Sequence, residues 1–393
     1  NAIQLDSSQN AEARRKVMAD ISDGKINLLF VSPERMANFE FREMLREMDI
    51  RTFAIDEAHC ISHWGHDFRP EYRQLGSLKE MFPRASVHAY TATATERVRA
   101  DIVQQLGLGN AEILVGNFDR PNLTYRVHPR REILKQILSV IERNKGEGGI
   151  VYCLRRADVD ELNKKLKAQG VNSMPYHAGL TPIQRGKAQD AFVEERCDVI
   201  VATVAFGMGI DRSNVRYVIH AALPKSLEHY QQETGRAGRD GLEAECTLFY
   251  SGADFFAVKG LIEKPNQDGE VDREHVAAAM EHLREMDRYC KSAACRHGIL
   301  LKYFGQTPEL ENCNACDLCL GETQTLDGAE TIAKKILSCV FRVNQRFGIK
   351  HVVSVLRGMT NESIVRCGHE RLSTYGILKE QKEENLRDWI YQL

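Results

Sequence analysis

No apolar run in this 393-residue sequence approaches the roughly 20 residues of a membrane-spanning helix, and no signal-peptide pattern is visible. A membrane partner is therefore not expected. An excess of one charge is also missing, since 53 Lys and Arg stand against 55 Asp and Glu. Any surface for nucleic acid must be a local patch and not a generally basic exterior. Internal repeats and low-complexity tracts are not evident, which argues against a solenoid or a disordered tract. The pattern Gly-x-x-x-x-Gly-Lys-Ser/Thr is absent as well: Gly24-Lys25 and Gly186-Lys187 lack both the upstream glycine and the following hydroxyl residue. A loop of that kind, whose backbone amides and lysine cradle phosphates, is not in this chain.

What is present is more telling. The length suffices for two or three domains, each with its own core. Eleven cysteines, several clustered late in the chain, suit a reducing cytosol and metal ligation better than disulfides. The chain is organised around Asp56-Glu57-Ala58-His59-Cys60-Ile61-Ser62-His63-Trp64-Gly65-His66-Asp67-Phe68-Arg69-Pro70-Glu71-Tyr72. Before it, Arg51-Thr52-Phe53-Ala54-Ile55 reads as a buried strand. Acids at the C-terminal end of a parallel strand stand where α/β folds place ligands. Asp56 is suited to hold Mg²⁺ through water. Glu57 is suited to orient and deprotonate a water attacking a phosphoryl group, and His59 to sense that site. His63, Trp64, His66, Phe68 and Tyr72, interleaved with Arg69, suit base stacking and phosphate or cation–π contact.

Residues 1 to about 115 alternate strands and helices. Ile26–Val31 is a predicted strand ending at Ser32-Pro33-Glu34-Arg35, and Val87–Tyr90 leads to Thr91-Ala92-Thr93-Ala94 and a helix from about Thr95. The hydroxyls of Thr91 and Thr93 can bond the carboxylates of a neighbouring strand. Gly116–Leu123 marks the crossover into a second α/β unit, with buried strands at Gly149–Cys153 and Asp198–Thr203. Gly207 and Gly209 allow a close backbone approach to a ligand. In Gln232-Glu233-Thr234-Gly235-Arg236-Ala237-Gly238-Arg239, the arginines are spaced to share one side of a helical turn. Arg239, with Arg236 beside it, is suited to neutralise charge on a transferring phosphate. From about residue 255 the pattern turns helical. Cys295, Cys313, Cys316 and Cys319 can close a tetrahedral metal site, zinc or an iron–sulfur cluster, with Leu320 standing where a ferredoxin-type ligand is usually followed by proline. Cys290 reads as non-ligating, and Cys60, Cys153, Cys197, Cys246, Cys339 and Cys367 as packing residues. Residues 326–393 form an amphipathic helical set with 11 Lys and Arg against 8 Asp and Glu, a net charge of +3.

The seventeen-residue run resembles motif II plus the aromatic-rich loop of RecQ-family DNA helicases. The remaining motifs follow in that family's order: Thr91–Ala94 resembles motif III, residues 203–211 motif V, and residues 232–241 motif VI. The context Cys295-Arg296…Leu300-Leu301-Lys302-Tyr303-Phe304-Gly305 is similar to the RecQ zinc element, and the last segment to its winged helix. The resemblance implies an α/β fold with two RecA-like P-loop NTPase lobes, the first one incomplete, then a helical zinc-binding element and a winged-helix domain. The boundaries fall at 1–115, 116–254, 255–325 and 326–393.

It further implies ATP, Mg²⁺ and Zn²⁺ as cofactors and 3′-to-5′ unwinding of duplex DNA in recombination and repair. ATP would bind between the lobes, touched by Asp56, Gly207, Gly209, Asp211, Gln232, Arg236 and Arg239. Single-stranded and duplex DNA would be met by Ser32, Trp64, Phe68, Arg69, His177 and Thr203, with Thr91 and Thr93 coupling hydrolysis to movement. Arg212-Ser213 departs from the Lys-Pro usual after Asp211. A monomer in the bacterial cytoplasm, at the nucleoid, is implied.

A DNA-binding module without catalysis, and an RNA helicase of the broader Asp-Glu-Ala-His group, are the other readings. The aromatic loop and the cysteines speak against the second. The chain opens on Asn1 and stops in an apolar-periodic helix at Leu393, so it is expected to be an internal piece. Expressed as given, it should hydrolyse no ATP at a helicase-like rate. DNA-stimulated turnover abolished by Glu57→Gln would contradict that.

Overall fold

Short runs of β-branched and aromatic residues, separated by amphipathic helices, give parallel strands; the strand expected to be buried at Arg51–Ile55 is buried only at Ile55, with Thr52 and Ala54 exposed. The structure, a computed structural model, describes residues 1–5, 11–207, 210–264, 273–309, 311–323 and 326–393. It divides into two units. The first comprises residues 1–118 with 303–306, and the second residues 119–302 with 307–393.

In the first unit, β1 (Ala2–Leu5) pairs in parallel with β2 (Leu28–Val31), and β3 (Thr52–Ile55) with β4 (Ser86–Ala89). One core, including Leu5, Phe41, Leu45, Ile55, Ile61, Leu78, Val98 and Leu106, lies under them. The helix Glu96–Gln105 starts where expected, because the Thr95 hydroxyl accepts the Val98 N–H.

The second unit holds a six-stranded, all-parallel sheet. Its strands are β5 (Leu123–Pro129), β6 (Gly148–Tyr152), β7 (Ser173–Tyr176), β8 (Val199–Ala202), β9 (Val215–His220) and β10 (Ala244–Tyr250), in the order β5-β10-β9-β6-β8-β7. Every residue of β6 and β8 is buried, as a strand covered on both faces requires. Gly149 is fixed by packing, since a methyl group there would stand 1.9 Å from the Tyr217 ring. Arg212 is buried; it donates to the carbonyls of Phe192 and Cys197 and lies over the Phe192 ring. The departure at 212–213 thus places a cation at the end of the helix Pro182–Val193, which favours positive charge.

Helices Gly252–Ile262, Arg273–Lys291 and Arg296–Tyr303 precede the late cysteines. The cysteine loop lies along β5: Tyr125 N–H donates to Ala315, Asp317 N–H donates to Tyr125, and the Asp317 carboxylate accepts from Val127 N–H. Helices Ala329–Arg342, Ile349–Arg357, Glu362–Cys367 and Glu383–Gln392 close a separate core of Ile336, Val352, Val353, Leu356, Ile364 and Leu386. Among the described residues, no helix is long and apolar enough to cross a membrane.

Candidate functional site

β3 delivers its two acids to the solvent edge. Asp56 is exposed, and its Oδ1 accepts the Glu57 N–H at 2.8 Å. Glu57 sits at φ 50°, ψ 41°, the left-handed region. A non-glycine residue there costs about 1–3 kcal/mol and persists where its surroundings enforce it. The 3-10 turn Ala58–Ile61 follows, anchored to the neighbouring strand end by Ala58 N–H donating to Tyr90. His59 is buried, its Nδ1 2.9 Å from Thr91 Oγ1 and 3.4 Å from Glu57 Oε2. The expected hydroxyl link therefore runs from Thr91 to the imidazole and not to a carboxylate. Thr93 is buried, and its N–H donates to the Thr91 hydroxyl. Burial pushes the Tyr72 phenol up to about 12, so it stays a neutral donor to the Asp56 carbonyl.

The aromatic loop is tied directly to this turn. Ser62 donates to Asp101 at 2.5 Å and accepts from Trp64 N–H, while Arg69 N–H donates to Cys60. A methyl group at Gly65 would stand 2.4 Å from the His59 carbonyl oxygen. His66 stacks on His59, and Phe68 on His63. Trp64 is 40% exposed, with the Arg97 guanidinium 3.1 Å from its ring centroid. Arg97 was not visible as a partner in the sequence, because only the fold brings its helix to the loop. Arg69 is paired with Asp67 at 2.7 Å. The Glu34 carboxyl is held below its usual range by backbone and Ser32 hydrogen bonds, with Arg69 adding to the effect, which places Ser32 and Arg69 in one neighbourhood.

In the second unit the helix Leu227–Thr234, carrying Gln232, ends before the arginines. Arg236 and Arg239 stand on the following turn, where Gly238 has φ 54°. The expected helical placement is corrected: Gly235 and Gly238 end the helix. Arg236 is buried against Gly207, its Nε without a hydrogen bond among the described residues. Arg239 Nη1 donates to the Ile210 carbonyl at 2.9 Å and lies 3.7 Å from Asp211 Oδ1. Burial and the charge of Arg236 hold the Arg239 guanidinium below its ordinary pKa, which suits a pair of cations facing an anion. Thr203 lies half-buried just after β8, its N–H on the Tyr176 carbonyl. Gly209 lies outside the described residues. His177 is buried; its Nε2 is 3.1 Å from Asp160, and its Nδ1 accepts the Gly179 N–H. It orders its own turn.

The Sγ atoms of Cys295, Cys313, Cys316 and Cys319 all lie within 4.8 Å of one another. A Zn–S bond of ~2.3 Å spaces the sulfurs of a tetrahedron roughly 3.8 Å apart, so the set fits one zinc ion. Gly298, Ala315 and Cys319 N–H groups donate to the sulfurs of Cys295, Cys313 and Cys316. Burial raises the Cys316 thiol, but N–H donors from Arg296 and Cys319 outweigh it and leave the group below its ordinary pKa. Cys290 is buried and outside the set, as expected. Cys60, Cys153, Cys197, Cys246 and Cys339 are buried, but Cys367 is exposed and not a packing residue.

Residues 1–102 match the DEAD/DEAH box helicase family, 129–241 the helicase conserved C-terminal domain, 252–320 the RecQ zinc-binding family and 322–393 the RQC domain. The chain is 43% identical to the ATP-dependent DNA helicase RecQ of Pasteurella multocida, covering 99% of this chain and 60% of that protein. For the Haemophilus influenzae protein of the same name the identity is 42%, with 99% and 62% covered. The chain thus spans about three-fifths of the length of these relatives. Among solved structures, Mycobacterium smegmatis helicase Lhr bound to ssDNA and AMP-PNP aligns with a TM-score of 0.51 at 20% identity, over 69% of this chain and 37% of that one. Saccharomyces cerevisiae Dbp5 bound to RNA aligns at 0.51 and 18%, over 73% of each chain. These two show the fold: two RecA-like lobes.

Proposed function

The chain belongs to the RecQ family of helicases, and on that premise we propose that it is part of the motor of an ATP-driven DNA helicase unwinding 3′ to 5′ in recombination and repair. Its partners are single-stranded and duplex DNA, and it acts as a monomer in the bacterial cytoplasm, at the nucleoid. Asp56 would hold Mg²⁺, which would help neutralise the phosphate charge, and Glu57 is suited to take the proton of the water attacking the terminal phosphate of ATP. Arg239 meets the charge that develops on that phosphate, with Arg236 behind it. Thr203 and Asp211 flank the same loop toward DNA and nucleotide. Ser32, Phe68 and Arg69 join Trp64 on the DNA side. The chain itself, without a Gly-x-x-x-x-Gly-Lys-Ser/Thr loop, is inactive as an ATPase.

One observation carries this reading. The half-exposed Trp64 lies seven residues from Glu57, and the only backbone between them is a turn pinned by Ala58, Cys60 and Ser62. Bases stacking on that ring pull on the backbone that carries the catalytic acid. Stacking is worth roughly 1–3 kcal/mol per base, while phosphate contacts supply much of the affinity. In a chain that also carries the phosphate loop, Trp64→Ala should leave basal ATPase and most DNA affinity intact, yet abolish most DNA stimulation and unwinding. Normal unwinding, or a melting temperature several degrees lower, would refute the coupling. Comparing DNA with RNA duplexes tests the choice of DNA.

The cysteines call for a second measurement. Metal analysis of the purified chain should return one zinc and no sulfide. Because the site has four thiolates and no open position, Cys316→Ser should lower stability far more than it alters any chemistry. Iron with sulfide would reject zinc.

A further inference from the structure

The tetrapeptide Asp119-Arg120-Pro121-Asn122 has no part in the steps above, yet each of its polar side chains is committed to a distant group. Arg120 Nη2 donates to the carbonyls of Ala237 at 3.1 Å and Gly238 at 2.8 Å. Asn122 Nδ2 donates to the carbonyls of Gly238 and Leu242, both at 2.9 Å. The two side chains brace each other through Arg120 Nε and Asn122 Oδ1 at 3.4 Å. Asn122 also accepts the Ala244 N–H through its backbone carbonyl. The turn that carries Arg236 and Arg239 is therefore gripped by three of its own carbonyls. Gly238 fits this grip, since a methyl group there would stand 2.5 Å from Asn122 Nδ2 and 2.7 Å from the Leu242 carbonyl oxygen.

The other end of the tetrapeptide points to the cysteines. Asp119 Oδ1 lies 2.7 Å from His297 Nδ1, and His297 Nε2 lies 3.0 Å from the Leu123 carbonyl and 3.2 Å from that of Ala315. His297 is two residues after Cys295, and Ala315 immediately precedes Cys316. We propose that Arg120 and Asn122 are positioning residues for Arg239, and that His297, through Asp119, makes their clamp respond to the four-cysteine centre. The value of the clamp for hydrolysis rests on the role given to Arg239 above. A misplacement of about 1 Å at such a group can cost on the order of 100-fold in rate.

Asn122→Asp keeps the side-chain shape but turns two donated bonds into carboxylate–carbonyl contacts. In the zinc-loaded chain, amide hydrogen exchange over 236–244 should accelerate at least tenfold, while 148–152 and 199–202 keep their parental protection. His297→Gln with its zinc retained should accelerate the same segment by a smaller factor, and zinc removal by at least as much. Asp119→Asn, distant in sequence from the cysteines, repeats that arm should His297→Gln lose metal. Parental exchange at 236–244 in Asn122→Asp overturns the clamp, as does loss of protection across the whole sheet in step with it. Parental exchange in both His297→Gln and Asp119→Asn overturns the link to the cysteines. In an ATP-hydrolysing chain, Asn122→Asp should lower kcat far more than it changes KM, and add little to Arg239→Ala. Normal turnover in Asn122→Asp, with Arg239→Ala inactive, also overturns the positioning role. If Arg239→Ala is itself fully active while exchange still accelerates, the clamp stands and the role of Arg239 in hydrolysis falls.

Discussion

Asp317→Asn should destabilise the second unit by about 3–5 kcal/mol, the largest stability effect expected of any single substitution here. Asp317 is fully buried and Arg296 is 3% exposed. They meet as a two-pronged pair, Nε to Oδ1 at 3.0 Å and Nη2 to Oδ2 at 3.1 Å. Further donors and acceptors of the pair are also used. Arg296 Nη1 donates to the carbonyls of Tyr289 and Ser292, and Asp317 accepts N–H groups from Val127 and Leu318. The amide keeps the shape but leaves the guanidinium buried without a counter-charge, which costs the full desolvation. Replacing both, as Arg296→Met with Asp317→Leu, removes the buried charge but also the partners of Tyr289, Ser292, Val127 and Leu318, so it should recover only part of the loss. Urea unfolding of the two variants beside the parent checks this. A single variant within 1 kcal/mol of the parent would show that the pair is not the anchor of the cysteine loop.

Arg239→Ala should have the largest effect on chemistry. An arginine that neutralises the transferring phosphate is worth roughly 10³–10⁵ in kcat, and nothing else on its turn can replace it. Arg236 cannot, because it is buried against Gly207. In an ATP-hydrolysing chain the variant should therefore bind nucleotide and DNA nearly normally while turnover collapses, and Arg239→Lys should recover only part. A loss below tenfold, measured by steady-state hydrolysis with saturating DNA, would remove Arg239 from the reaction.

The parts of this molecule that were legible in the sequence are those whose meaning is local. The two-residue cysteine spacing, the acids ending a short apolar strand, and Thr95 opening a helix are each decided within a few residues. Asp317 lies between two ligand cysteines and so hides in a recognisable motif, but its role depends on Arg296 and on Val127, far earlier in the chain. The three-residue spacing of Arg236 and Arg239 suggests a helix, but Gly235 and Gly238 carry the stronger local signal, and the helix ends at Thr234. The burial of His177 and the exposure of Cys367 have a shared reason for escaping the sequence: burial is set by which elements pack on them, and spacing along the chain carries no record of it. Arg97 over Trp64 belongs to the same class.

The six-stranded sheet has two outer strands, β7 and β5. On β7, Pro175 offers no N–H to an incoming strand. On β5 the Leu123 carbonyl, both backbone groups of Tyr125 and the Val127 N–H are taken, by His297 and by the loop at Ala315 and Asp317. A β5 stripped of that loop would be a bare, flat template onto which a second molecule can add a strand. The cysteine loop thus also keeps separate molecules from joining edge to edge. Demetallated protein should fail first by clumping in concentrated solution, well before its sheet melts.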